Sequence, residues 1–221
     1  MRRLALALVA LTLVLAACTS TGETTTLPTS TTRPRADAPV TTLPGGAPLA
    51  VVFGDSNTFL ASREIRKALA AVGFTPDPRG ISGSGVKDDL QDWYPAAEAV
   101  GKARPAVVVV ALGTNDAVLV ADVGEFPNRA ELLLQALGDT PVIWVTHTEG
   151  GGGRDPADEV AVNNVIRALP AQHPNVTVLD LAPLLAADPT LLSPDKIHYS
   201  ELGREWFAER IAEAAGARVE Q

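Results

Sequence analysis

"AVVVVALGTND", residues 106–116, decides the fold. From Ala106 to Leu112 every residue is apolar, and Val107 to Val110 are four valines in a row. A strand with one wet face alternates apolar and polar residues, because successive side chains point to opposite faces. A run without alternation is covered on both sides. The stretch therefore predicts a central strand of a parallel sheet. Gly113, Thr114, Asn115 and Asp116 end it abruptly with turn formers and leave polar groups at its carboxyl end.

Working outward, apolar runs alternate with helix-like segments. Leu49 to Phe53 reads as a buried strand that stops at Gly54 and is followed by Asp55, Ser56 and Asn57. Ser62 to Val72 predicts a helix with Gly73 as its stop. Gly80-Ile81 ends a short second strand, and Val86 to Val100 looks helical with an interruption at Pro95. Arg129–Leu137 and Ala157–Leu169 read as helices, Pro141–His147 and Val176–Leu181 as strands. Glu201–Ala215 is a closing helix that Ser200 can cap. The alternation predicts a three-layer α/β/α sandwich around a central parallel sheet.

In open sheets of this kind, ligands bind beyond the carboxyl ends of the strands. Asp55 and Ser56 follow the first strand, and Gly83 and Gly85 of "GSG" follow the second. Asn115 and Asp116 follow the third, and His147 ends the fourth. Asp195 and His198 of "SPDKIHYS" follow the last. All fall on one edge. Ester hydrolysis by a serine needs a base for its proton, an acid to orient that base, and donors for the developing oxyanion. The chain has three histidines. His173 lies on the opposite edge and is expected to be solvated. His198 has Asp195 three residues before it, a spacing at which a carboxylate meets Nδ1–H and leaves Nε2 for a hydroxyl. His147 is the competitor for the base and otherwise a candidate wall of the substrate pocket. Asn115 can aim its amide above Ser56. Asp55 and Asp116 read as hydrogen-bond partners rather than catalysts. No His, Asp, Glu or Cys recurs at metal-ligand spacing, so neither metal nor other cofactor is expected.

Taken in order, these stretches resemble the SGNH hydrolases, also called GDSL esterases and lipases. "FGDSNT" is similar to their first block, "GISGSG" to the second, "LGTND" to the third and "SPDKIHYSELG" to the fifth. The resemblance spans residues 49 to about 215. It implies Ser56 as nucleophile, His198 as base, Asp195 as the acid that orients it, and an oxyanion hole of the Ser56 and Gly83 N–H groups with the Asn115 amide. Many members carry an Asn shortly before the second-block glycine. Here the stretch reads "DPRGISG", which leaves Gly85 as the alternative to Gly83.

The amino-terminal part is different. Arg2-Arg3 precede an apolar run from Leu4 to Ala17, too short to span a bilayer comfortably. This is the layout of a signal peptide over residues 1–17. "LAAC", ending at Cys18, resembles the lipobox of bacterial lipoproteins, which implies a lipid on Cys18. Each buried CH2 of such a chain contributes roughly 0.8 kcal/mol to membrane binding. Cys18 is the only cysteine, so no disulfide forms within one chain. Residues 18–48, rich in Thr and Pro, cannot bury enough apolar surface to fold and read as a tether. The catalytic domain is expected over residues 49–221.

Of the 221 residues, 46% are apolar and 20% charged, which suits one domain with a substantial core. A net charge of −8 argues against the basic footprint of a nucleic-acid binder. The resulting expectation is an ester hydrolase held on the outer face of the cytoplasmic membrane, acting on an acylated carbohydrate or small ester. An acyltransferase of the same fold is the alternative. Oligomeric state is not legible. "HTEGGGGRDPAD", residues 147–158, reads either as a mobile substrate loop at the active edge or as a solvated connection. Trp93 and Tyr94 read as core aromatics or as a sugar platform.

Overall fold

A computed structural model describes residues 46–88, 90–119, 123–151 and 155–219. The expected signal peptide, Cys18 and most of the tether lie outside them. Five strands form one sheet: β1 (Leu49–Gly54), β2 (Thr75–Gly80), β3 (Val107–Ala111), β4 (Val142–Val145) and β5 (Val176–Leu179). Their order is β2-β1-β3-β4-β5 and every pairing is parallel. The valine run is the central strand.

Both faces of the sheet are covered, as the unbroken apolar run requires. Val51, Phe53, Val108, Val110 and Trp144 point to one face. There they pack with α3 (Tyr94–Ala103), α4 (Phe126–Leu137) and α5 (Pro156–Ala168). Ala50, Val52, Val107, Val109 and Ile143 point to the other. They meet α2 (Ser62–Ala71), α6 (Ala182–Ala187) and α7 (Glu201–Val219). Ser200 caps α7 as expected, its Oγ accepting from the Gly203 N–H at 3.0 Å. Among the described residues no helix is long and apolar enough to cross a membrane.

The expected helix over Val86–Val100 begins only at Tyr94. Aspartates upstream capture the backbone donors a helix would use. Asp88 Oδ1 accepts from the N–H groups of Leu90 and Gln91, and Asp92 Oδ1 from that of Tyr94. Such local bonds compete directly with helix formation. Pro95 then sits in the first turn, where its missing N–H does no harm. Trp93 is a core residue, fully buried with its ring centroid 5.0 Å from that of Phe53.

The strand ends fix the active edge. Gly54 pairs with both Gly80 and Ala111, so β1, β2 and β3 finish level. A short helix, α1 (Ser56–Leu60), follows β1 immediately, an element that the sequence reading leaves as loop. It fits because the two strand-end residues are glycines. A Cβ on Gly54 would overlap the Thr58 side chain, and one on Gly80 would overlap the Phe59 backbone. Gly80→Ala is expected to destabilise the domain by about 3 kcal/mol, since backbone atoms cannot rotate away from the added methyl. A denaturation midpoint unchanged in Gly80→Ala would contradict this packing.

Candidate active site

The order of strand addition reverses between β1 and β3: β1 leads outward to β2, whereas β3 leads to β4 and β5 on the other side. Loops diverge at such a point and leave a crevice. Ser56 follows β1 and Asn115 follows β3, on the two sides of this point.

Ser56 is the first residue of α1. Asp55 caps that helix, its Oδ1 accepting from the Asn57 N–H at 2.9 Å. The opposite partner arrives from the carboxyl-terminal part of the chain. His198 Nε2 lies 2.9 Å from Ser56 Oγ, and His198 Nδ1 lies 2.7 Å from Asp195 Oδ2. In its neutral form the ring can donate from Nδ1 to the carboxylate and accept the serine proton at Nε2. The remaining oxygen of Asp195 accepts from the N–H groups of Ile197 and His198, at 2.9 and 3.0 Å. A left-handed backbone at Lys196, φ 58°, closes this turn. Burial works to raise the Asp195 carboxyl, but the His198 hydrogen bond and the two backbone donors outweigh it and hold it at about 2. Asp195 is therefore ionised at any pH near neutrality.

Asn115 is buried and its amide donates to Ser84 O at 3.0 Å. Its second contact, to Asp55 Oδ2, is long at 3.4 Å. The short bond orients the amide. Asp55 is 1% exposed. Burial pushes its carboxyl up to about 6 against the lowering effect of the Asn57 N–H, the Thr114 hydroxyl and nearby His198.

The second loop separates the two glycines. Gly83 has φ +83°, a conformation that favours glycine, and its N–H has no acceptor among the described residues. Gly85 donates its N–H to Asp88. A Cβ on Gly85 would lie 2.8 Å from the Asp116 carboxylate, which accepts from the Val86 N–H at 3.0 Å and faces Arg129 at 3.6 Å. Gly85 is thus needed for packing, while Gly83 has the free donor. Asp55 and Asp116 are both bonded into the scaffold, as their sequence reading expects. Burial also raises the Asp116 carboxyl, to about 6.

His147 is 8% exposed and its ring lies against Gly113, just after β3. Its Nδ1 donates to Thr148 O at 3.0 Å, and Asn163 grips its backbone N–H and carbonyl. His173, expected to be solvated, is instead paired with Glu131 at 2.8 Å on the far edge. The glycine-rich loop is anchored where it starts: buried Glu159 accepts from the N–H groups of Gly150 and Gly151. Glu149 meets Arg167 at 3.3 Å. Residues 152–154 of that loop lie outside the described residues. The sequence reading passes over Glu159, and also over Asn57, whose amide bonds to the segment holding His198.

Two grooves, of about 660 and 530 Å³, lie away from Ser56: one at the opposite edge beside Arg104 and Pro141, the other between α2 and α7. Neither is lined by Ser56, His198 or Asp195. Among the described residues no cluster of three or more His, Cys, Asp or Glu could hold a metal ion.

Polar loops gathered beyond one edge of a five-stranded parallel sheet, with a serine heading the first and a histidine on the last, are the architecture of the SGNH hydrolases. The chain belongs to the GDSL-like lipase/acylhydrolase family, whose model it matches over residues 52–218. No protein of curated function matched the sequence. Among solved structures, a lipase/acylhydrolase from Enterococcus faecalis is 22% identical, with TM-score 0.63 over 77% of this chain and 96% of that one. The catalytic domain of a Streptococcus pneumoniae peptidoglycan O-acetyltransferase is 20% identical, with TM-score 0.62 over 80% and 97%. A carbohydrate esterase of family 3 from Talaromyces cellulolyticus is 21% identical, with TM-score 0.60 over 78% and 98%. At these identities the likeness is one of fold.

Proposed function

We propose that the protein is a serine ester hydrolase that removes short acyl groups, such as acetyl, from carbohydrate or small esters. The observation that carries this reading is the unbroken hydrogen-bond chain from Ser56 Oγ through His198 to Asp195, 2.9 and 2.7 Å in its two links. Ser56 Oγ attacks the acyl carbonyl while its proton moves to His198 Nε2. The oxyanion is held by the N–H groups of Ser56 and Gly83 and by the Asn115 amide. Collapse breaks the ester C–O bond, and the leaving alcohol takes the proton from Nε2. Water then attacks the acyl-enzyme and gives a proton to Nε2. That proton returns to Ser56 Oγ as the carboxylic acid leaves.

Asn115→Ala is expected to lower kcat by about 10²–10³ with little change in KM, because the oxyanion exists only beyond the ground state. Steady-state kinetics on an activated acetyl ester measures both. A kcat within about threefold of wild type would remove Asn115 from the oxyanion hole.

The same acyl-enzyme serves a transferase when a sugar hydroxyl replaces water. The pneumococcal neighbour is an O-acetyltransferase, which makes this the second reading. Assay of free acetate against acetylated glycan, with both acceptors present, separates them.

The protein is further proposed to be anchored at the cell envelope through a lipid on Cys18, a reading supported by "LAAC" after the apolar run. Cys18→Ala is expected to leave the membrane fraction while keeping esterase activity. Mass spectrometry that finds Cys18 unmodified in the mature protein would overturn the anchor.

A further inference from the structure

We infer that Asn57 is a positioning residue that holds His198 in register with Ser56, an inference that rests on the roles proposed for those two side chains. Asn57 follows the serine directly, in the first turn of α1, and is 9% exposed. Its Nδ2 donates to Ile197 O at 3.1 Å, and its Oδ1 accepts from the Tyr199 N–H at 3.0 Å. That carbonyl and that N–H belong to the two peptide groups on either side of the His198 Cα. One side-chain amide therefore grips the histidine backbone from both flanks, across 140 and 142 residues of sequence.

The other bonds of this segment have a different task. Asp195 orients the His198 ring, and the Ser193 N–H donates to His198 O at 2.7 Å. Both are internal to the loop and say nothing about its distance from the serine. Among the described residues, three hydrogen bonds cross between 55–60 and 193–200: the Ser56–His198 bond and the two of Asn57. The first reverses direction when the serine proton moves to Nε2, and it is lost in the acyl-enzyme once Nε2 has given that proton to the leaving alcohol. In the acyl-enzyme Asn57 alone of the three keeps Nε2 within reach of the reacting oxygens. The task needs a donor and an acceptor on two separate atoms of one short, rigid head, which a side-chain amide has; an ionised carboxylate has no donor and a hydroxyl has both on one atom. A misplacement of about 1 Å in such a pair can lower the rate about 10²-fold.

The test compares full-length wild type, Asn57→Ala, Asn57→Asp and Ser56→Ala. Asn57→Asp keeps the acceptor for Tyr199 and loses the donor to Ile197. Each protein is assayed on 4-nitrophenyl acetate and with a fluorophosphonate. Thermal unfolding and the downfield proton resonance of the His198 Nδ1–H···Asp195 bond are also recorded. Both Asn57 variants are expected to lose about 10- to 100-fold in kcat. KM should stay within about threefold and labelling should slow in parallel. The downfield resonance should persist, because the His198–Asp195 bond is internal to its loop. A role confined to holding the loop together would instead abolish that resonance along with activity, and this result overturns the inference. So does a folded Asn57 variant with kcat within about threefold of wild type. If Asn57→Ala does not fold, Asn57→Asp decides by the same thresholds. A fully active Ser56→Ala is a separate outcome: it removes the nucleophile on which the inference rests, whatever the Asn57 variants do.

Discussion

Ser56→Ala is expected to abolish turnover of an activated acetyl ester, with kcat falling on the order of 10⁴- to 10⁶-fold. On the proposed mechanism the substitution removes the atom that becomes acylated and leaves its surroundings standing. Asp55 caps α1 through its own side chain, and Asn57 still bonds to Ile197 and Tyr199. The variant should therefore unfold at the temperature of the wild type, within about 2 °C, since little buried surface is lost. Residual turnover above water would come from the oxyanion donors alone. Activity close to wild type would end the serine-hydrolase reading.

His198→Ala is expected to cost nearly as much, because serine and base act as a unit and their losses do not add. Asp195→Asn should lower kcat by about 10⁴, as expected when the imidazole loses the carboxylate that selects its tautomer. The contrast is His147. It sits at the same edge, but its ring is bonded to Thr148 O and packed on Gly113, and Asn163 clamps its backbone. His147→Ala is expected to change kcat by less than about tenfold and to act mainly on KM or stability. An inactive His147→Ala beside a His198→Ala of near-wild-type rate would reverse the assignment of the base.

Much of this was legible in the chain itself. The valine run predicts a doubly covered central strand, and β3 is that strand. Polar residues after successive apolar runs predict one active edge, and the level ends of β1, β2 and β3 supply it. Ser56, His198 and Asp195 form one hydrogen-bonded chain at that edge, across 142 residues of sequence. What was not legible depends on side-chain bonds between distant segments or on local competition. The apolar pattern over Val86–Val100 is helical, but Asp88 and Asp92 take the backbone donors of that stretch. Nothing in "HTEGGGGRDPAD" shows that Glu159, on the following helix, pins its glycines. Asn57 reads as an ordinary turn residue after a strand; its partners are 140 residues away. The bonds that occupy Gly85 and leave the Gly83 N–H without an acceptor among the described residues depend on the positions of Asp88 and Asp116, which no spacing reveals.

The central claim is that Ser56 is a nucleophile activated by His198. Incubation with a fluorophosphonate, followed by peptide mass spectrometry, tests it most directly, because the reagent bonds covalently to an activated serine and needs no knowledge of the natural substrate. The account predicts a single adduct on the peptide that contains Ser56, formed on the order of 10³-fold more slowly in His198→Ala. An adduct on any other serine, or labelling of Ser56 at an unchanged rate without His198, would contradict it.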